Sequence, residues 1–179
     1  MNDELKKELI KLNSKSLRIL DLGFGSPTVY INLFEDLEKK EKFYFTGVEF
    51  KDENEVFYMR SYDCVDFEKH FKFYYNTCIL AYLKNISKEE KFDAIILSNV
   101  LHKMEVVDVP FIMESCLSLM DTDSIIYICV LGMNYDGTED ENNKLFTLER
   151  YNSLKANFKI LYPPKKDESC HLEFIGRKK

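Results

Sequence analysis

The runs Leu17-Arg18-Ile19-Leu20-Asp21-Leu22, Phe92-Asp93-Ala94-Ile95-Ile96-Leu97 and Ser124-Ile125-Ile126-Tyr127-Ile128-Cys129-Val130-Leu131 are apolar with almost no polar alternation. A strand that faces water on one side alternates, so these read as strands covered on both faces. Amphipathic stretches lie between them. Leu5, Leu9 and Leu12 share one helical face, which predicts a short helix over 3–13. Val29, Leu33 and Leu37 form the stripe of a second helix, with Ser26 a good N-cap and Pro27 suited to the first helical position. Further helices are expected over 53–71, from Ile79 toward Lys88, from Val109 to Met120 and from Leu145 to Asn157. The remaining strands are expected at Phe43–Glu49, Phe71–Tyr75, Lys159–Tyr162 and His171–Arg177. Strands alternating with helices imply right-handed crossovers and a parallel sheet. The expected fold is therefore α/β: one doubly wound domain over 1–179, with a mostly parallel seven-stranded sheet and helices on both faces.

Composition narrows the partners. The 179 residues are 45% hydrophobic, with 6 Gly and 4 Pro, so disordered and collagen-like classes are excluded. The net charge is −6 and the pI about 5.2, which disfavours nucleic acid as the main partner. No apolar run approaches the ~18 residues that span a bilayer, and the acidic start Met1-Asn2-Asp3-Glu4-Leu5 does not read as a secretory signal. The five cysteines show no Cys-x-x-Cys spacing, so reduced thiols in a cytoplasmic protein are expected, with no metal site.

In doubly wound sheets, ligands bind outside the carboxyl ends of the strands. The first strand delivers Asp21-Leu22-Gly23-Phe24-Gly25 to that edge, a turn in which glycine admits a ligand close to the backbone. The dinucleotide fingerprint G-x-G-x-x-G would need Gly at position 28, which is Thr28. The second strand delivers Glu49, whose carboxylate can accept both hydroxyls of a ribose or simply sit in solvent. The third delivers Asn76 and Thr77, which can hydrogen-bond an adenine edge. The fourth delivers Ser98-Asn99-Val100-Leu101-His102, where polar groups must find partners or line a cavity. Phe24 and Tyr30 border the glycine turn, and core packing explains them as well as a ligand would.

Taken together, Leu20-Asp21-Leu22-Gly23-Phe24-Gly25, Gly47-Val48-Glu49 and Phe92 to His102 resemble the class I S-adenosylmethionine-dependent methyltransferases, a Rossmann-like family. The resemblance covers nearly the whole chain and implies an antiparallel strand near one edge of the sheet. It also implies S-adenosyl-L-methionine as cofactor, with S-adenosyl-L-homocysteine as product. Asp21, Gly23, Phe24 and Gly25 would then hold the methionine part, Glu49 the ribose, and Asn76 and Thr77 the adenine, with Ser98 also at the cofactor. The family usually has G-x-G-x-G, and Pro27 departs from it.

The signature Asp/Asn-Pro-Pro-Tyr/Phe is absent, and so is a Pro-Cys nucleophile. An O-, N- or S-acceptor remains, with a small molecule preferred. His102 is the candidate base, with Asn99 beside it; a capping or backbone-bonding role for His102 is the alternative. The loop Met133–Asn143 reads as a lid or as a plain surface loop. Little chain precedes the first strand, so the pocket is expected to be open or completed by a second subunit in a homodimer. Two other functions stay open on this reading: an inactive methyltransferase-like binding protein, and an RNA or protein methyltransferase with an open groove.

Overall fold

The computed structural model describes residues 3–12, 16–25, 28–37, 40–51, 67–131, 153, 156–166 and 171–179. Helix α1 (Asp3–Leu12) leads into β1 (Leu17–Leu22), α2 (Thr28–Asp36), β2 (Phe43–Val48), α3 (Phe67–His70) and β3 (Phe71–Tyr74). Then follow α4 (Ile79–Asn85), β4 (Phe92–Ser98), α5 (Val109–Ser118), β5 (Met120–Leu131), β6 (Phe158–Lys166) and β7 (His171–Lys178). The strands form one seven-stranded sheet in the order β3-β2-β1-β4-β5-β7-β6. β1 through β5 pair in parallel, while β7 runs antiparallel to both β5 and β6. The chain thus reverses direction outward from β1, first toward β3 and then toward β6. That reversal opens a crevice above the carboxyl ends of β1 and β4.

Each face of the sheet carries its own core. On one face Leu5 and Leu9 of α1 and Ile31, Leu33 and Phe34 of α2 pack on Ile19, Phe45 and Ile96. On the other, Ile79 and Leu83 of α4 and Ile112, Met113 and Cys116 of α5 pack on Leu20, Ile95 and Ile128. This is why β1 and β4 lack alternation: residues of opposite parity are buried equally, with Ile19, Leu20, Ala94 and Ile95 all fully buried.

Some expectations need adjustment. The helix expected to reach Met120 ends at Ser118, and Met120 already pairs with Phe92 as the start of β5. Met120 continues the helical spacing of Cys116 and Leu117, so periodicity alone could not place the break. Phe71, where the expected helix over 53–71 and the expected strand Phe71–Tyr75 overlapped, belongs to the strand: it opens β3 and pairs with Phe45. Ser26, Pro27, the loop 133–143, residues 53–66 and most of the helix expected over 145–157 lie outside the described residues.

Candidate functional site

The turn after β1 is fixed by its neighbours. Gly23 has φ +89° and its N–H donates to the Val48 carbonyl at 2.7 Å. A Cβ at Gly23 would lie 2.3 Å from Val100 Cγ2, so only glycine fits. Gly25 also has positive φ, +59°, but faces open space. Phe24 is buried between them, edge-on to Phe45 and close to the position a Cβ on Gly47 would occupy.

Asp21 and Tyr30 lie beneath the turn. Both are buried, and the Tyr30 hydroxyl donates to Asp21 Oδ2. Asp21 Oδ1 is buried with no partner among the described residues. Burial raises the Asp21 carboxyl to about 7; the Tyr30 hydrogen bond lowers it and nearby Glu49 raises it further. Burial likewise holds the Tyr30 hydroxyl protonated far above its usual range.

Glu49 bridges two strand ends. Its Oε2 accepts the Gly25 N–H at 2.9 Å, and its Oε1 accepts those of Phe50 at 2.9 Å and Lys51 at 3.2 Å. The carboxylate therefore ties the glycine turn of β1 to the end of β2.

These groups open onto one cleft of about 930 Å³ above the carboxyl edge. Asp21, Gly23, Phe24, Gly25 and Glu49 line it, as do Ser98 and Asn99 at the end of β4. Asn99 adopts φ 58°, a conformation asparagine tolerates better than most residues, and its N–H donates to the Cys129 carbonyl at 2.8 Å. The expected residues Asn76, Thr77 and His102 are not among those lining the cleft. Asn76 and Thr77 instead tie β3 to β2, their N–H groups donating to the Lys51 and Glu49 carbonyls. His102 stands half-buried in a single 3-10 turn, Leu101–Lys103, while its neighbours Val100, Lys103 and Met104 reach the wall.

Sequence reasoning missed several wall residues. Phe50, 73% exposed, follows Glu49 on the rim. Leu5 of α1 covers one side. Tyr127 and Cys129 of β5 and Glu173 of β7 extend the cleft past β4. The available signal was Tyr127 and Cys129 themselves, polar-bearing residues two apart in the otherwise apolar run 125–131, hence on one face. Among the described residues no cluster of His, Cys, Asp and Glu is arranged to hold a metal, and no helix is long and apolar enough to cross a membrane.

No protein-family model matches the sequence, and no curated protein matches it. Solved structures do match by shape. TehB from Haemophilus influenzae superposes with a TM-score of 0.70 at 17% identity, over 100% of this chain and 63% of TehB. The 1,6-didemethyltoxoflavin-N1-methyltransferase of Burkholderia thailandensis, solved with 1,6-didemethyltoxoflavin and S-adenosylhomocysteine, gives 0.68 at 15%, over 98% of this chain and 76% of that one. Magnesium protoporphyrin IX methyltransferase from Synechocystis, solved with S-adenosylmethionine, gives 0.67 at 12%, over 99% and 77%. This is the class I methyltransferase fold. Its hallmark here is β7, inserted antiparallel between β5 and β6. The chain spans 63% of TehB's length, and at these identities the likeness is one of fold.

The methyltransferase fold raises the question of whether this cleft suits a sulfonium nucleoside. Asp21 offers a buried carboxyl oxygen that has no partner among the described residues, a group that a cation would suit. Gly25 leaves open space above the turn. Glu49 has spent three hydrogen bonds on the backbone, out of about four lone-pair sites on a carboxylate. The residues present fit, with Glu49 the most constrained of them.

Proposed function

We propose that the chain binds S-adenosyl-L-methionine over the Asp21–Gly25 turn and transfers its methyl group to an O, N or S acceptor on a small molecule. When bound, the cofactor supplies a methyl group activated on a sulfonium sulfur. The chain's task is to hold it, align the acceptor and dispose of a proton. The observation that carries this reading is Asp21, a buried carboxyl that lines a concave cleft and whose Oδ1 has no partner among the described residues. A cationic amino group satisfies that oxygen and favours the ionised carboxylate. Gly23, Phe24 and Gly25 form the bed for the methionine part. Glu49 receives the sugar, either through its remaining lone pair or by releasing the Gly25 N–H. Ser98 and Asn99 flank the cofactor on the β4 side. Phe50, on the rim beside Glu49, gives an apolar surface for the base. Adenine contact by Asn76 and Thr77, and a base role for His102, carry less support because none of the three lines the cleft.

Isothermal calorimetry with S-adenosylhomocysteine tests the reading. Micromolar binding is expected, weakened at least tenfold by Asp21→Asn, since a hydrogen bond to a charged group contributes about 1.5–3 kcal/mol. No heat and no thermal stabilisation at millimolar ligand would overturn it. That outcome would favour a second reading, a methyltransferase-like binding protein, which the engagement of Glu49 by three N–H groups supports.

A further inference from the structure

At about 930 Å³ the cleft sits near the top of the roughly 300–1,000 Å³ range of small-molecule sites, which leaves room for a second ligand beside a cofactor. A cofactor over the Asp21–Gly25 turn, with its sugar at Glu49 and its base at Phe50, takes the β1–β2 side. The β4 side is left to the methyl acceptor, where Asn99, Val100, Lys103 and Met104 form the wall. That wall is anchored from within. The Lys103 N–H donates to the Val100 carbonyl at 2.9 Å and closes the 3-10 turn Leu101–Lys103. Leu101 is 1% exposed, and Val100 packs against the glycine turn, where its Cγ2 lies 2.3 Å from the place a Cβ on Gly23 would take. The exposed Lys103 side chain therefore springs from a fixed backbone just past the residue that touches the methionine turn.

The charged groups along the cleft differ in how far they are already engaged. Asp21 accepts the Tyr30 hydroxyl, and its other oxygen faces the cofactor's ammonium in the reading above. Glu49 accepts three backbone N–H groups. Glu173 accepts the Tyr127 hydroxyl at 2.7 Å and has a further partner. It also stands on β7, two strands beyond β4, about 10 Å away at ordinary strand spacing. The Lys103 ammonium has no hydrogen bond or ion pair among the described residues, while Glu105, two positions on, has a partner of its own. Lys51 is also unpaired among the described residues, but it follows Glu49 and Phe50 on the cofactor's side. At the β4 edge, the charge left to meet a second ligand is positive.

We infer that Lys103 determines specificity for the methyl acceptor and that this acceptor carries a carboxylate. The inference rests on the cofactor reading above. The Lys103 ammonium holds the carboxylate through a charge-assisted hydrogen bond. Val100 and Met104 give an apolar surface to the body of the molecule. Lysine meets an anion as a point charge, so the site selects charge more than shape. Lys103 grips the acceptor away from the reacting atoms and moves no proton. The cofactor's own carboxylate is offered a different group, the open N–H donors at the start of α2, which begins at Thr28 just past the glycine turn.

The test uses the full chain saturated with S-adenosylhomocysteine, with benzoate and benzamide as probes of one shape in calorimetry. Benzoate is expected to bind about fivefold tighter than benzamide, the upper end for an ion pair that keeps contact with water. The preference should shrink as salt is raised. Lys103→Gln should bring the ratio to about one, Lys103→Arg should retain it, and Lys51→Gln should leave it unchanged. S-adenosylhomocysteine affinity should stay within about twofold in both Lys103 variants. No preference for benzoate, a preference insensitive to salt, one that survives Lys103→Gln, or one that is lost with Lys51→Gln overturns the inference while leaving the cofactor reading intact. Loss of S-adenosylhomocysteine affinity in Lys103→Gln would assign the lysine to the cofactor's carboxylate and also overturns it. Failure of the wild-type chain to bind S-adenosylhomocysteine overturns both readings. If Lys103→Gln does not fold, the salt dependence of the wild-type preference and the Lys51→Gln variant decide.

Discussion

Asp21 sets the behaviour of the site at the level of a single side chain. Its carboxyl is raised from 3.8 to about 7, chiefly by burial. Between pH 4 and 7 the folded chain keeps a proton that the unfolded chain has released. The contribution of Asp21 to stability is therefore greatest in acid, falls as pH rises through that window and levels off above 7. Binding of an ammonium group has the opposite sign, because it needs the ionised form. Affinity for S-adenosylhomocysteine should rise severalfold from pH 6 to 7.5, measured by calorimetry. Tyr30→Phe removes the hydrogen bond that lowers the Asp21 carboxyl, so the same rise should move to higher pH. The glycines of the turn separate two other effects. Gly23→Ala forces a Cβ onto Val100 and a strained φ, and should cost at least 2 kcal/mol in urea unfolding, on the order of a core overpacking penalty. Gly25→Ala meets nothing and should cost only about 1 kcal/mol, the backbone term alone.

Among the elements, α5 shows how a helix end can be satisfied from a distant strand. Lys178 of β7 donates to the Leu117 and Met120 carbonyls at 2.8 and 2.7 Å, and Lys91 donates to the Ser118 carbonyl. The last carbonyls of a helix lack partners within it and favour a cation. Lys178→Met should therefore destabilise the chain by about 1–2 kcal/mol in chemical denaturation, with S-adenosylhomocysteine affinity unchanged. The same end of α5 marks the limit of what sequence alone reveals. β1 and β4 are legible nearly to the residue because a doubly covered strand leaves a continuous apolar signal. The step from α5 into β5 is hidden because Met120 suits either period, and only its pairing with Phe92 decides. Asp21, the glycines, Glu49, Ser98 and Asn99 could be found because each directly follows or closes a readable strand. Glu173 could not, since β7 is readable as a strand but its seat between β5 and β6 depends on pairing with β5, more than forty positions earlier.

Across the whole molecule, the sheet separates two cores. Leu9 anchors one and Ile112 the other, both at 0% exposure. Leu9→Ala and Ile112→Ala should each cost about 2–5 kcal/mol. Because the sheet lies between them, their costs should add to within about 0.5 kcal/mol in the double variant, measured by urea unfolding. A larger deviation would mean that the two faces communicate through the strands.

The position of β7 has a consequence for how the chain is made. β6 precedes β7 in the chain, yet among the described residues its one neighbour in the sheet is β7. Without β7, β5 presents the outer N–H and C=O groups of Ile125–Leu131 unpaired. Until β7 docks, that edge is where the sheet is open to pairing with a strand of another chain.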